Sequence, residues 1–465
     1  MSSRPIRKID SFMADAAQFE DAFTNLSAEY EGEWLSAAYV EPANFSAIAS
    51  MRSMIIAGES GAGKSALRTI LAQRSGAEAG PHYLAVEWRF TPALESLHGS
   101  QLVRIYAQQV FNACAESLLR VIVQWPLRFA ASHAWVRTAC FDFIHTALGP
   151  ALERSATRAT RNAAPEAMAI LQGLCEHAPL TSTLDQIPDV ITELAEIVRE
   201  LGMTGVWVLV DRLEPWIGAD ADQTATAFRT LLETLMLLET PGFAFKIFSP
   251  PELQARLSGV SGLGRRRLDL LQLTWQPDEL KEIVTARLRL LLGRTDVDVG
   301  ALCESSLLLK RLQQYGGANP RGWLELARPF AEAALAASGA LPLTADRCRA
   351  LHQEHPPYLH MDLSTNQAFI GERELRDLSP TARRLLRFLY QHQGRVVSRA
   401  ELYFCGHRNL AAVPEGAEMG FDGSDDWTAQ LDTALWRLRK QVEPDPRAPL
   451  YIITTPTGVR LQHAR

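Results

Sequence analysis

The period of the apolar positions changes several times along the chain, and each change marks a boundary between elements. Over 10–26, Phe12, Ala16, Phe19, Phe23 and Leu26 recur on one helical face. This predicts an amphipathic N-terminal arm that either docks on the next domain or binds a partner. Four short runs follow a different rule: "RSMIIAGES" (52–60), "HYLAVEWR" (82–89), "GVWVLVDRLEPW" (205–216) and "FAFKIFSP" (243–250). Each is an apolar run bounded by turn residues, as buried strands are. Between the second and third runs, 93–200 is rich in Ala, Leu and Arg at helical spacing, with Pro and Gly only as punctuation. Strands alternating with helices predict an α/β fold, a parallel sheet with helices on both faces, in which 93–200 is a long helical insertion between core strands. From "WQPDEL" (275–280) to about 340 the pattern is helical throughout; a Pro-containing link, "HQEHPPYLH" (352–360), then precedes a compact α+β unit. The predicted division is an arm over 1–45, an α/β core over 46–275, a helical segment over 276–351 and the α+β unit over 357–465.

A length of 465 residues fits two to four domains. The 47% apolar and 22% charged content is that of an ordinary globular protein, and no apolar run is long enough to span a bilayer. The first residues, "MSSRPIRKIDSFMADAAQ", lack the apolar stretch of a secretory signal. Six scattered cysteines form no CxxC pair and have no His cluster beside them, so buried thiols in a reducing cytoplasm are expected rather than disulfides or zinc. The net charge of -6 excludes broad, nonspecific coating of nucleic acid.

The chemistry begins at "GESGAGKS", where Gly58, Glu59, Ser60, Gly61, Ala62, Gly63, Lys64 and Ser65 fit G-x-x-x-x-G-K-[ST] between a strand and a helix. Glycines let such a loop curl its N–H groups onto phosphate oxygens, and the helix that follows adds its N-terminal partial charge. Lys64 then neutralises the β- and γ-phosphates of ATP, and Ser65 ligates Mg2+. The strand "VWVLVD" supplies Asp211 at its C-terminal end, where open α/β sheets bind ligands, as the second acceptor for Mg2+.

Residues 40–340 resemble the AAA+/STAND class of P-loop ATPases in this loop, in the Asp strand and in "YGGANPRGWLELA" (315–327), in that order. The resemblance makes 276–351 a helical lid. It maps the lid arginine that reaches the γ-phosphate onto Arg321 and a sensor of the γ-phosphate onto Ser249, which also reads as a plain turn residue. "DRLE" is similar to the acidic pattern of STAND proteins and makes Glu214 the candidate to orient water, against a surface or helix-capping role. Arg212 directly after Asp211, and Pro215 in place of a final acid, are departures that imply slow hydrolysis or nucleotide holding alone. "RRR" (265–267) reads as a solvated basic loop before a finger acting in trans.

The C-terminal unit is similar to the winged-helix output domain of OmpR/PhoB-type regulators over about 357–463. The similarity lies in Ser379, Leu385 and Leu386, "GRVVSRAEL", Arg437 to Lys440, and Gly458 to Leu461. It implies a recognition helix around 425–442 that places its basic end on DNA phosphates. Winding that helix puts Trp427, Leu431, Ala434, Leu435, Leu438 and Val442 on the core stripe. Ala429, Thr433, Trp436 and Lys440 fall opposite, flanked by Asp432, Arg437 and Arg439. A central exposed Trp suits a protein contact. The acidic loop before the helix, the wing tip "TTPTG" without arginine, and 14 Lys and Arg against 13 Asp and Glu over 357–465 all weaken phosphate binding. Thr433, Trp436, Arg437, Arg439 and Lys440 therefore read as a DNA or a protein surface. The expectation is a cytoplasmic bacterial ATP switch governing a winged-helix module, in transcription control or in a defence or stress response through a partner or self-assembly. The alternative is a scaffold with little or no turnover that docks a partner protein.

Overall fold

The computed structural model describes residues 22–23, 26, 28, 32–77, 80–91, 100–178, 187–211, 240–253, 268–337, 340–415 and 427–464. The chain divides into two compact units, Ser27–Trp275 and Met1–Leu26 with Gln276–Arg465.

Ser27–Trp275 opens with two short helices, α1 (Gly32–Ala38) and α2 (Phe45–Ile48). Its centre is a five-stranded sheet formed by β1 (Met54–Ala57), β4 (Tyr83–Arg89), β5 (Gly205–Asp211), β6 (Phe243–Ser249) and β7 (Asp269–Gln272). The order is β4-β5-β6-β1-β7 and every pairing is parallel. A small antiparallel pair, β2 (Gly76–Ala77) and β3 (Gly80–Pro81), lies outside it. All residues of β1, β5 and β6 are buried, which is why these strands read as continuous apolar runs rather than alternating ones. Strand β7 was not foreseen: its burial alternates, and "LDLLQ" carries polar residues because it lies at a sheet edge.

One face of the sheet packs on the helices that follow β4. These are α4 (Ser100–Gln124), α5 (Pro126–Ala131), α6 (Ala134–Leu148), α7 (Leu152–Ala159), α8 (Pro165–Glu176) and α9 (Ile187–Glu200). On α4, Tyr106, Val110, Cys114, Leu118 and Ile122 recur every fourth residue and join a core with Leu84, Val86 and Trp88 of β4 and with Val206, Val208 and Val210 of β5. Each large side chain buried there contributes roughly 1.5–3 kcal/mol. The helix after the glycine loop, α3 (Lys64–Arg74), meets β4, β5 and β6. Mid-sheet, Lys246 of β6 is fully buried, and its Nζ donates to the carbonyls of Ser50 and Arg52 at 2.8 and 2.6 Å.

The other unit begins its described run with α10 (Pro277–Leu292). A capping box between Gln276 and Glu279 starts that helix. Helices α11 (Leu307–Tyr315), α12 (Pro320–Ala336) and α13 (Ala345–Glu354) follow. Next come an antiparallel sheet of β8 (Leu359–Asp362), β9 (Gln367–Ile370) and β10 (Arg373–Glu374), then α14 (Pro380–Gln391) and α15 (Arg399–Glu401) running into a π-turn over Leu402–His407. Helix α16 (Trp427–Val442) and the hairpin β11 (Ile452–Thr455) and β12 (Gly458–Leu461) complete it. Of the N-terminal helical face, Phe23 is buried and the Ala22 carbonyl accepts from Arg287 at 2.6 Å; Phe12, Ala16 and Phe19 lie outside the described residues.

The helices and the strands of this unit meet at a close joint. Glu372 N donates to the Tyr315 carbonyl at 2.8 Å. Gly371, at φ 56°, leaves no room for a side chain, because a Cβ there would stand 2.5 Å from the same carbonyl. Arg311, 3% exposed, donates to His352 Nδ1 at 3.0 Å and to the His355 carbonyl, and lies over the Phe330 ring. Burial lowers the Arg311 pKa to about 10, and burial with the adjacent guanidinium lowers His352 to about 4. Cys114, Cys140, Cys303 and Cys348 are buried as expected, whereas Cys175 is exposed and Cys405 half-buried. Among the described residues no helix is long and apolar enough to cross a membrane.

Candidate phosphate-binding site

The glycine loop leaves β1 at Gly58 and enters α3 at Lys64. Gly61 and Gly63 take φ of 84° and 89°, left-handed values that a β-carbon disfavours, and these reversals curl the loop. Its base is fixed on both sides: Gly58 N donates to the Ser249 carbonyl at 3.1 Å, and Leu273 N donates to the Ala57 carbonyl at 2.7 Å. Trp275 closes it from outside the motif, donating from Nε1 to the Ala62 carbonyl at 2.8 Å. Lys64 is buried, and its Nζ donates to the carbonyls of Gly58 and Glu59 at 2.7 and 3.1 Å. Glu59 and Ser60 are exposed at the loop's crest, and Ser65 is half-buried at the start of α3.

Ser249 ends β6, opposite Ala57 of β1. It is fully buried, and its Oγ has no hydrogen-bond partner among the described residues. An unmet buried hydroxyl costs about 1–3 kcal/mol. Its position beside the base of a phosphate loop makes it a group for which a ligand oxygen or a bound water would provide a partner. The left-handed glycines and the buried Lys64 thus fit a polyphosphate.

Asp211 does not fit the part drawn from the sequence. It ends β5, separated from β1 by β6, and is 7% exposed. Its Oδ2 accepts from Arg68 Nε at 3.0 Å, and the same guanidinium meets Glu87 Oε2 of β4 at 3.0 Å through NH1. The carboxylate expected to wait for Mg2+ already has a cation. Arg68, Glu87 and Trp275 escaped the sequence reading. The available signals were an arginine four residues after Lys64, on the same side of the helix, and the alternation Glu87–Arg89 on an edge strand. Glu214, Arg212, Pro215 and Arg265 to Arg267 lie outside the described residues.

The second glycine motif, in the unit that contains Gln276–Arg465, is accounted for by packing. Asn319 caps α12 by accepting from Gly322 N at 3.0 Å, and Pro320 takes the first helical position. Trp323 Nε1 donates to the Gly317 carbonyl at 3.1 Å. A Cβ on Gly322 would lie 2.4 Å from the Gly316 carbonyl. Arg321 is exposed on the first turn of α12.

On α16, Leu431, Leu435, Leu438 and Val442 are buried as the periodicity requires, while Trp427 and Ala434 are half-buried. Thr433, Trp436, Arg437 and Lys440 are exposed; Trp436 is 53% exposed, with Lys440 Nζ 4.1 Å from its ring centroid. Arg439 is different from its neighbours: it donates to the Ile452 carbonyl and, at 2.6 Å, to Thr454 Oγ1, which ties the hairpin to the helix. Asp432 pairs with Arg399. Glu443, the residue after α16, is buried and accepts from the N–H groups of Leu450, Tyr451 and Ile452. Burial raises its pKa against the pull of those donors.

No protein-family model matches the chain, and no curated relative matches it. Among solved structures, the Aeropyrum pernix ORC2 protein, in ADPNP–ADP complexes, is similar over 98% of this chain and 91% of its own, at 14% identity and a TM-score of 0.33. So loose a likeness sets no correspondence between residues.

Proposed function

We propose that the chain is an ATP-binding switch of the AAA+/STAND type, whose nucleotide state controls a C-terminal winged-helix module. The curl of the glycine loop at Gly61 and Gly63, with the Lys64 ammonium held over the loop's own carbonyls, carries this reading. The loop N–H groups and the start of α3 take the phosphates, and Lys64 exchanges the Gly58 and Glu59 carbonyls for phosphate oxygens. Ser249 then donates to a phosphoryl oxygen or to a water beside it. Trp275, which holds Ala62, directly precedes Gln276 in the sequence, where the helical lid of this reading begins. Arg321, exposed on the lid, is the residue through which the lid answers the γ-phosphate. Turnover is slow, since Arg212 stands directly after Asp211 in the sequence. A fluorescent ATP analogue should bind the parent protein and fail to bind Lys64→Ala; a parent that binds no nucleotide overturns the proposal.

The winged-helix reading is supported by the order of three strands, three helices and a hairpin from β8 to β12. A second reading of its output, docking of a protein instead of DNA, is favoured by Trp436. With Arg439 committed to the hairpin and Asp432 on the same helix, the exposed cations at the centre of this face are Arg437 and Lys440, and Lys440 lies over the indole. Phosphate tracking needs several clustered cations. The module therefore acts through a partner protein, in transcription control or in a defence or stress response. Loss of a co-purifying partner in Trp436→Ala, with nucleotide binding kept, is the expected result. A mobility shift on promoter DNA that survives Trp436→Ala restores the DNA reader.

A further inference from the structure

The disagreement at Asp211 has a definite geometry. Arg68 lies one turn beyond Lys64 on α3 and is 7% exposed. Its Nε and NH1 reach Asp211 and Glu87 at 3.0 Å each. In the parallel register of β4 and β5, Glu87 stands opposite Leu209 and Arg89 opposite Asp211. Side chains alternate along a strand, so both carboxylates rise from one side of the sheet, the side that α3 covers. One guanidinium thus bridges two acids beneath the helix of the phosphate loop.

Arginine stays charged at any working pH and offers a fixed fork of donors matched to carboxylates. A divalent cation held by Asp211 would sit close to that fork, and like charges at such range in a poorly screened site repel strongly. Without Arg68, two acids would face each other near a bound polyphosphate, and a divalent cation would be needed to offset all three.

We infer that Arg68 replaces the divalent cation as the counter-charge of Asp211, with Glu87 holding it in place, so that this loop binds nucleotide with little dependence on Mg2+. The inference rests on the phosphate-loop reading above. Arg68 is a positioning residue: it stands against the Asp211 carboxylate and offsets its charge.

The test is equilibrium binding of a fluorescent ADP analogue to the full chain, once with MgCl2 and once with EDTA. For the parent, the two affinities should agree within about threefold. Arg68→Gln should bind about 30-fold or more weakly in EDTA and recover with MgCl2. Arg68→Lys, which keeps the charge, should return to the parental pattern, which a merely structural role of the guanidinium would not produce. Asp211→Asn should leave the ratio between the two buffers unchanged. A parent that loses more than about 30-fold in EDTA overturns the inference while the phosphate loop stands, and this comparison needs no variant to fold. A parent that binds in neither buffer overturns the phosphate-loop reading itself.

Discussion

The loop at 58–65 and the turn at 315–322 are both glycine-rich, both lead directly into a helix, and both place a cation at that helix's start. In the turn, the asparagine, the tryptophan and two of the glycines are used by the packing of the protein itself. Asn319 caps the helix, Trp323 donates to Gly317, a Cβ on Gly316 would meet the Trp323 ring and the Leu312 carbonyl, and one on Gly322 would meet the Gly316 carbonyl. In the loop, the glycines curl around backbone donors, a buried ammonium borrows the loop's own carbonyls, and a neighbouring hydroxyl has no partner among the described residues. The difference teaches where to look for a ligand: at groups whose hydrogen-bonding demand the fold leaves open. A glycine-rich signature alone does not make that distinction.

Several substitutions would break or sharpen this contrast. Lys64→Ala should weaken nucleotide binding about a thousandfold in a fluorescence titration, with the melting curve little changed; an unaltered affinity would place the loop in the same class as the turn. Gly371→Ala, where a Cβ would meet the Tyr315 carbonyl at 2.5 Å and φ is positive, should cost about 3 kcal/mol in denaturant unfolding and leave nucleotide affinity unchanged. A second buried ammonium, Lys246, gives a control at the other end of β1. Burial, opposed by Asp269, lowers its pKa to about 7. Between that value and the ordinary lysine range the unfolded chain binds more protons than the folded one, so stability should rise with pH across this window and level off below it. Lys246→Met should flatten that rise, and an identical slope in both proteins would refute the assignment. Ser249→Ala should cost about fivefold in nucleotide affinity, one hydrogen bond's worth, without loss of stability. Arg321→Ala should change stability by less than about 0.5 kcal/mol while slowing turnover; unchanged turnover would make the turn purely structural.

The parts of the site legible in the sequence were those defined by local spacing. The glycine loop, the apolar runs of β1, β5 and β6 and the buried stripe of α16 each follow from neighbours a few residues away. What escaped depends on distant pairing. Arg68 and Asp211 are 143 residues apart, and nothing near either predicts that they share a hydrogen bond. Trp275 lies 213 residues from Ala62 and reads in sequence as part of the approach to a helix. Arg439 reads in sequence as part of a DNA- or protein-binding surface because it stands at the basic end of the helix; its bonds to Ile452 and Thr454 arise only when the hairpin folds back onto the helix. Strand β7 was missed because an edge strand keeps polar residues that disguise its period.

The joint at Tyr315 also bears on how this protein can be taken apart. The last carbonyl of α11 accepts from the Glu372 N–H, Gly371 is packed against the same carbonyl, and Arg311 is coordinated by residues at the end of α13, in the approach to β8. Helices α11 to α13 and the C-terminal strands should therefore melt in one calorimetric transition. A fragment beginning at the Pro-rich link would expose the surface that α11 and α13 cover. The C-terminal strands and helices are thus a poor candidate for exchange as an independent bead, and their stability depends partly on the helices before them.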